Sequence, residues 1–138
     1  MELRPFHYSF LVRDLEETRR FYVDVLGCRE GRCAETWIDF DFHGSQLSCH
    51  LGAPTPTANV GKVDGILVPM PHFGAIVSFA EYDDLVSRLA RAAVPLVITP
   101  RIRYAGEVGE QGIVFFLDPS GNAIEVKAFR RPDELFAR

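Results

Sequence analysis

An internal repeat constrains the fold of this chain more than any other feature of its sequence. The segment HYSFLV at residues 7–12 has the apolar, β-branched character of a strand, and residues 14–26 follow with apolar positions at helical spacing. The same order returns 65 positions later, so that His7 aligns with His72 and residues 14–26 align with residues 79–91. Short strand-like segments follow each predicted helix. The sequence therefore predicts two βαβββ modules.

The two modules account for nearly the whole chain. We predict module one at about residues 5–51 and module two at about residues 70–129. Residues 52–69 contain three Pro and three Gly without a helical period, so we interpret them as a linker, and residues 130–138 as a C-terminal tail. The expected fold class is α+β, a single domain in which two βαβββ modules form an open, cup-shaped mixed sheet.

The composition indicates a globular protein and argues against several function classes. A chain of 138 residues with 47% hydrophobic and 25% charged residues is typical of one globular domain. The net charge of −4 and the lack of a basic run argue against nucleic-acid binding. The sequence has neither a bilayer-length apolar run nor a signal-peptide pattern, so we expect no membrane partner and a cytoplasmic location. Cys28, Cys33 and Cys49 lack metal-knuckle spacing and fit free thiols.

One carboxylate is out of place in the predicted final hairpin, GIVFFLDPSGNAIEVKAF at residues 112–129. The DPSG sequence places Pro and Gly as a type I turn prefers, and in the returning strand Glu125 alternates with Ile124 and Val126. A buried acidic side chain is costly unless a cation meets it, although a rim glutamate paired with Lys or Arg is the alternative interpretation. His7 and His72 stand at the starts of equivalent predicted strands. Both lie on the strand face opposite to the apolar side chains. These three groups could therefore converge in one cavity.

Three segments of the chain resemble a known family. They are LVRDLEETRRFYVDVLGC after His7, PHFGAIV with His72, and FFLDPSGNAIEVK with Glu125. Together they resemble the vicinal oxygen chelate superfamily, which includes glyoxalase I, fosfomycin-resistance thiol transferases, bleomycin-binding proteins and type I extradiol dioxygenases. The resemblance implies that His7, His72 and Glu125 bind one divalent metal ion. Such a triad leaves coordination positions open for substrate oxygens and O2; strand-end histidines satisfied by the backbone are the alternative.

The first module supplies two further candidate residues. Aligning the turn glycines Gly44 and Gly121 makes Ser48 the counterpart of Glu125 in the first module. The resemblance implies that glyoxalase I has a glutamate metal ligand at this position. This difference argues against glyoxalase I, and Ser48 is expected to hydrogen-bond a substrate rather than bind the metal. His50 follows on the same strand face, either as a general acid or base or as an ordinary polar residue at the rim.

The second module contributes a glycine-bearing segment at residues 101–111, which we interpret as a loop over the cavity. Arg103, together with Arg101, could hold a substrate carboxylate, and Tyr104 could donate a proton or hydrogen bond. A charged surface loop without a role in binding is the alternative interpretation. Loops over open cavities commonly carry substrate contacts.

Three activities fit the resemblance. The first is an extradiol-type dioxygenase that uses Fe(II) or Mn(II) on a small catechol-like substrate, although Phe115 and Phe116 stand where such enzymes usually have a tyrosine. The second is a non-redox lyase, isomerase or thiol transferase, for which Zn(II) or Ni(II) would serve. The third is a metal-free sequestering protein of the bleomycin-resistance kind, with an aromatic cavity formed by Trp37, Phe40 and Phe42. The resemblance also implies a homodimer.

Overall fold

The computed structural model of the protein describes residues 2–138 and has a mixed α+β fold. The first module contains β1 (His7–Val12), α1 (Leu15–Arg19, continued by a π-helical segment Arg20–Val25), β2 (Arg29–Ala34), β3 (Trp37–Phe42) and β4 (Ser45–Leu51). A hairpin follows, formed by β5 (Ala58–Val63) and β6 (Ile66–Met70). The second module contains β7 (Phe73–Val77), α2 (Phe79–Arg91), β8 (Leu96–Arg103), β9 (Gln111–Leu117) and β10 (Ala123–Phe129), with a 3-10 turn at Pro132–Glu134. The predicted βαβββ repeat is confirmed.

The chain divides into two compact units. Unit 1 comprises the residues up to 56 together with residues 118–122, and unit 2 comprises residues 57–117 and 123–138. The sheet of unit 1 has the strand order β1-β4-β3-β2, and that of unit 2 has the equivalent order β7-β10-β9-β8. In both sheets the first strand of the module runs parallel to its last strand, whereas the other pairs are antiparallel. The repeat in the sequence is therefore a repeat in topology.

The helix of unit 1 begins and ends where the sequence predicts. Asp14 is the N-cap, since its Oδ1 accepts a hydrogen bond of 2.7 Å from the backbone N–H of Glu17. Gly27 follows the helical segment with φ of 78°, a left-handed conformation that favours glycine. The segment is α-helical only as far as Arg19 and π-helical beyond it, a difference that apolar spacing does not reveal.

Aromatic side chains fill the core of unit 1 on the helix side of the sheet. Tyr22 is fully buried and stacks on Phe40 with ring centroids 5.2 Å apart, while its hydroxyl donates to Asp118 Oδ2 at 2.9 Å. Burial raises the pKa of Asp118. Phe40 and Phe42 belong to this core, whereas the pleat of β3 turns Trp37 to the other face. The predicted cavity of Trp37, Phe40 and Phe42 is therefore wrong.

Unit 2 contains a hairpin within residues 52–69, the segment predicted as a linker. Asp64 and Gly65 form its turn with φ of 50° and 77°, as in the two-residue type I′ turns that Asp-Gly favours. Val68 of the hairpin packs in one core cluster with Ile113 and Phe115 of β9. The hairpin thus covers one face of the unit 2 sheet, and α2 packs through Tyr82, whose hydroxyl donates to the Ile113 carbonyl at 2.7 Å.

The segment at residues 101–111 also differs from its prediction. Strand β8 continues to Arg103 and pairs with β9, with Arg101 opposite Ile113 and Arg103 opposite Gln111. The connection to β9 is therefore residues 104–110. A proline and two arginines concealed this strand, because pairing with a buried neighbour outweighs weak local β-propensity.

All three cysteines are free thiols, as predicted. Cys33 is exposed, whereas Cys28 and Cys49 are buried. Burial raises the pKa of Cys28 to about 12 and also raises the pKa of Cys49, so both stay protonated and unreactive at neutral pH. No helix among residues 2–138 is long and apolar enough to cross a membrane.

Candidate metal centre

His7 lies on β1 in unit 1 with one ring nitrogen held by a neighbouring side chain. Its Nδ1 lies 2.8 Å from Gln46 Oε1. The amide of Gln46 is oriented by its own Nε2, which donates to Asp39 Oδ2 at 3.2 Å. Because Gln46 Oε1 can only accept, His7 Nδ1 carries a hydrogen, and in the neutral imidazole the lone pair is then on Nε2. This tautomer leaves Nε2 available to bind a metal ion.

Asp39 is a functional candidate that the sequence interpretation missed. It lies directly opposite Ser48 in the β3–β4 ladder, and Ser48 Oγ donates to Asp39 Oδ1 at 2.6 Å. With Gln46, it completes a polar network on the face of the sheet away from α1. The alternation WIDFDF indicates its position, because Asp39 and Asp41 lie on the strand face away from the buried Ile and Phe side chains. The network orients His7 from the neighbouring strands.

His72, immediately before β7 in unit 2, is held in the same tautomer. Its Nδ1 lies 2.8 Å from the carbonyl oxygen of Pro69, which can only accept a hydrogen bond. The lone pair therefore lies on Nε2, as in His7. The His72 ring packs edge-on against Phe115 with centroids 4.9 Å apart, and Phe115 lies directly opposite Glu125 in the β9–β10 ladder. His72 and Glu125 thus share one aromatic neighbour.

Glu125 is buried in the middle of the unit 2 sheet, flanked by Gly74 on β7 and Phe115 on β9. The residue is 7% exposed. Its Oε1 lies 3.2 Å from Lys127 Nζ, so the pairing with a lysine considered from the sequence exists. Its Oε2 is buried and has no hydrogen-bond partner among residues 2–138. A buried carboxylate oxygen without a donor is unfavourable and is suited to a cation.

The strand registers confirm the alignment of Ser48 with Glu125. In unit 1, Ser9 lies two residues after His7 and pairs with Ser48. In unit 2, Gly74 lies two residues after His72 and pairs with Glu125. Ser48 therefore occupies in the first module the position that the carboxylate occupies in the second.

The other predicted site residues are divided between the units. In unit 1, His50 is exposed on β4, with its ring centroid 6.5 Å from that of Trp37. In unit 2, Arg103 Nε donates to Asp64 at 3.0 Å and Arg103 Nη2 donates to the Tyr104 hydroxyl at 3.0 Å. Tyr104 has φ of 55°, an uncommon conformation for a tyrosine. The roles of these residues in catalysis and substrate binding stay predictions.

The donor set fits a divalent metal ion. In their neutral form His7 and His72 each have the lone pair on Nε2, and Glu125 presents a buried oxygen without a donor among residues 2–138. This combination of nitrogen and oxygen ligands suits iron, manganese, nickel or zinc. Across residues 2–138, no group of three or more His, Cys, Asp or Glu side chains is clustered so as to hold a metal ion. The three-residue centre stays a prediction.

The two βαβββ modules with open sheets give the chain the glyoxalase fold. The chain belongs to the Glyoxalase/Bleomycin resistance protein/Dioxygenase superfamily, whose family model matches residues 4–126. No curated protein sequence matches the chain.

Solved structures share this fold over nearly the whole chain. A glyoxalase/bleomycin resistance protein/dioxygenase from Alicyclobacillus acidocaldarius is 28% identical with a TM-score of 0.78, covering 96% of each chain. The fosfomycin resistance protein FosX from Listeria monocytogenes is 19% identical with a TM-score of 0.70, covering 97% of this chain and 98% of its own. A lactoylglutathione lyase from Agrobacterium tumefaciens is 20% identical with a TM-score of 0.67, covering 98% and 97%. The last two likenesses establish the fold alone.

Proposed function

We propose that this protein is a divalent-metal-dependent enzyme that binds a small substrate through two neighbouring oxygen atoms. His7, His72 and Glu125 are the proposed ligands. The observation that carries the proposal is the buried Glu125 Oε2, which no donor satisfies among residues 2–138. The Nε2 lone pairs of both histidines support it. A bound metal would polarise the substrate oxygens, and iron or manganese would add O2 chemistry.

The residues of the chain then have distinct proposed tasks. Gln46 and the Pro69 carbonyl hold the two imidazoles in the tautomer that leaves Nε2 unprotonated. Ser48 and Arg103 would contact the substrate, and His50 or Tyr104 would move a proton. Arg103 pairs with Asp64 in the free protein. A substrate anion would displace the Asp64 carboxylate, because both anions bind the same guanidinium group.

Extradiol-type cleavage of a catechol-like substrate is the first candidate reaction, since a triad of two histidines and one carboxylate suits Fe(II) and O2. A non-redox lyase, isomerase or thiol transferase reaction is the second candidate. The observation in its favour is Phe115, an apolar ring that contacts His72 and lies opposite Glu125, where a tyrosine would have supplied a proton. With Phe115 there, any proton transfer falls to other residues.

Oxygen uptake with defined metals tests the reaction. The protein is stripped with chelator and reloaded anaerobically with Fe(II), Mn(II), Zn(II) or Ni(II), and each form is given a panel of catechols. Ring cleavage predicts stoichiometric O2 consumption with iron or manganese and none with zinc. The non-redox reaction predicts no O2 consumption and full turnover without air, measured by product formation on epoxide and thiol substrates. Failure of every metal to bind would contradict the proposal itself.

We further propose that the protein is a homodimer, in line with the pairing of modules across chains that the resemblance implies. Light scattering at micromolar concentration should give a mass about twice that of the 15.5 kDa chain. The control is a dilution series, because a weak dimer dissociates by mass action. A mass of one chain throughout the series would contradict the homodimer.

A further inference from the structure

Unit 2 has a cavity of about 340 Å³ on the face of its sheet that carries Glu125. Lys127 and Phe129 follow Glu125 along β10 at intervals of two, so all three point to the same face. Gln111 lies directly opposite Phe129 and diagonal to Lys127. The cavity is lined by Tyr104, Gln111, Lys127 and Phe129 and by C-terminal residues including Glu134 and Leu135; Glu134 Oε2 accepts a hydrogen bond of 2.7 Å from the Gly109 N–H. We call it the β10 cavity.

Gln111 supplies the first sign that the β10 cavity binds a ligand. The residue is 6% exposed, and its Nε2 donates to the Gly109 carbonyl at 3.1 Å. Because a carbonyl only accepts, this bond fixes the orientation of the amide and leaves Oε1 as an acceptor. Among residues 2–138, Gln111 Oε1 has no hydrogen-bond partner. A buried acceptor of this kind is suited to a hydroxyl or amino group of a ligand.

Lys127 supplies the second sign. Its side chain is 32% exposed, and its ammonium lies 3.2 Å from Glu125 Oε1. Once Glu125 serves as a metal ligand, its charge is neutralised by the metal and the attraction that holds Lys127 is lost. Lys127 then remains as a partly desolvated cation in the cavity that it lines. Such a cation is free to bind a new anionic partner.

We propose that the β10 cavity binds a small ligand with a carboxylate or phosphate-type anion and a nearby hydroxyl group, with Lys127 binding the anion and Gln111 Oε1 accepting from the hydroxyl. Lys127 becomes available for this anion when Glu125 no longer pairs with it. The inference rests on the proposed function, since it names the class of substrate that lies beside the metal ligand. It assigns to Lys127 and Gln111 roles in substrate specificity.

The test uses binding measurements on the full chain in the presence of chelator, so that no metal contributes. Glu125→Gln releases Lys127 without a metal and should bind inorganic phosphate about fivefold more tightly than the unmodified protein. Adding Lys127→Met should abolish that gain, whereas Lys127→Arg should retain it. Circular dichroism and thermal melts check that each variant is folded. Equal phosphate affinity in the unmodified protein and Glu125→Gln, or no effect of Lys127→Met, would overturn the proposal.

A matched pair of carboxylates tests the part played by Gln111. Glycolate and acetate differ by one hydroxyl group. In the Glu125→Gln variant, glycolate should bind about fivefold more tightly than acetate, because its hydroxyl makes one additional hydrogen bond. Gln111→Leu should remove this preference and leave acetate binding unchanged. A preference that survives Gln111→Leu would overturn the role of Gln111. Because all of these measurements are metal-free, they can fail while metal binding succeeds, and the reverse.

Discussion

Replacing Glu125 with glutamine is expected to remove tight metal binding and to leave the protein folded. The substitution keeps the volume of the side chain but takes away the charge and the buried oxygen that lacks a donor. Metal affinity should fall by more than about a hundredfold, because residues that merely orient metal ligands are already worth about 10- to 100-fold. The measurement is a calorimetric titration of the chelator-treated protein with Fe(II), Mn(II) and Zn(II).

Glu110 offers a matched control for Glu125. It lies in the same unit, pairs with Arg130 at 2.8 Å and accepts a hydrogen bond of 2.7 Å from the Gly106 N–H. Glu110→Gln should therefore leave metal affinity within about twofold of the unmodified protein, since a surface ion pair is worth little. Equal affinities in Glu125→Gln and Glu110→Gln would show that Glu125 is not a ligand, and the pairing with Lys127 would then be its whole role.

Replacing Gly74 with alanine should be severely destabilising. Gly74 lies beside Glu125 in the parallel β7–β10 pair, and an added Cβ would overlap the Glu125 carbonyl oxygen and lie 2.6 Å from its carbonyl carbon. The obstacle is backbone rather than a flexible side chain, so relief requires β7 to move away from β10. We expect a loss of about 3 kcal/mol or more, a large fraction of the stability of a domain of this size. The midpoint of thermal unfolding should fall by about 10 °C.

Gly31 is the control for the substitution of Gly74. It also lies in a strand, and the nearest atoms to its added Cβ belong to Asp39 at 3.4 Å, an ordinary contact. Gly31→Ala should shift the thermal midpoint by about 3 °C at most. A Gly74→Ala protein that melts within that range would contradict the close approach of β7 and β10. The effect of Gly74→Ala therefore also tests how closely β7 packs against β10, the strand that carries Glu125.

The sequence was sufficient to predict the repeated modules because their periodicity is strong. Apolar spacing, the Asp14 cap and Gly27 locate the first helix, and the repeat locates the second. Less of the second unit was predictable. The Asp64-Gly65 turn is a short hairpin signal within a segment rich in Pro and Gly, and the end of β8 at Arg103 depends on pairing with a strand distant in sequence.

The candidate site was predictable where it depends on alternation and unpredictable where it depends on hydrogen bonds. Glu125 and Ser48 could be matched by counting from turn glycines, and the registers bear out that match. Gln46 acts through the atoms that it contacts, and no local sequence pattern indicates such contacts. The incorrect prediction that Phe40 lines a cavity with Trp37 has a simpler cause. Trp37 and Phe40 are three residues apart, and a pleated strand separates such positions onto opposite faces.

The central claim is that His7, His72 and Glu125 together hold one metal ion. Elemental analysis tests it most directly, on protein purified anaerobically without chelators, with His7→Ala, His72→Ala and Glu125→Gln prepared alongside. We expect near-stoichiometric metal in the unmodified protein and its loss in all three variants, with each variant still folded. An unmodified protein that takes up no metal after reconstitution, or a variant that keeps its full metal content, would show that these three residues do not bind the metal together.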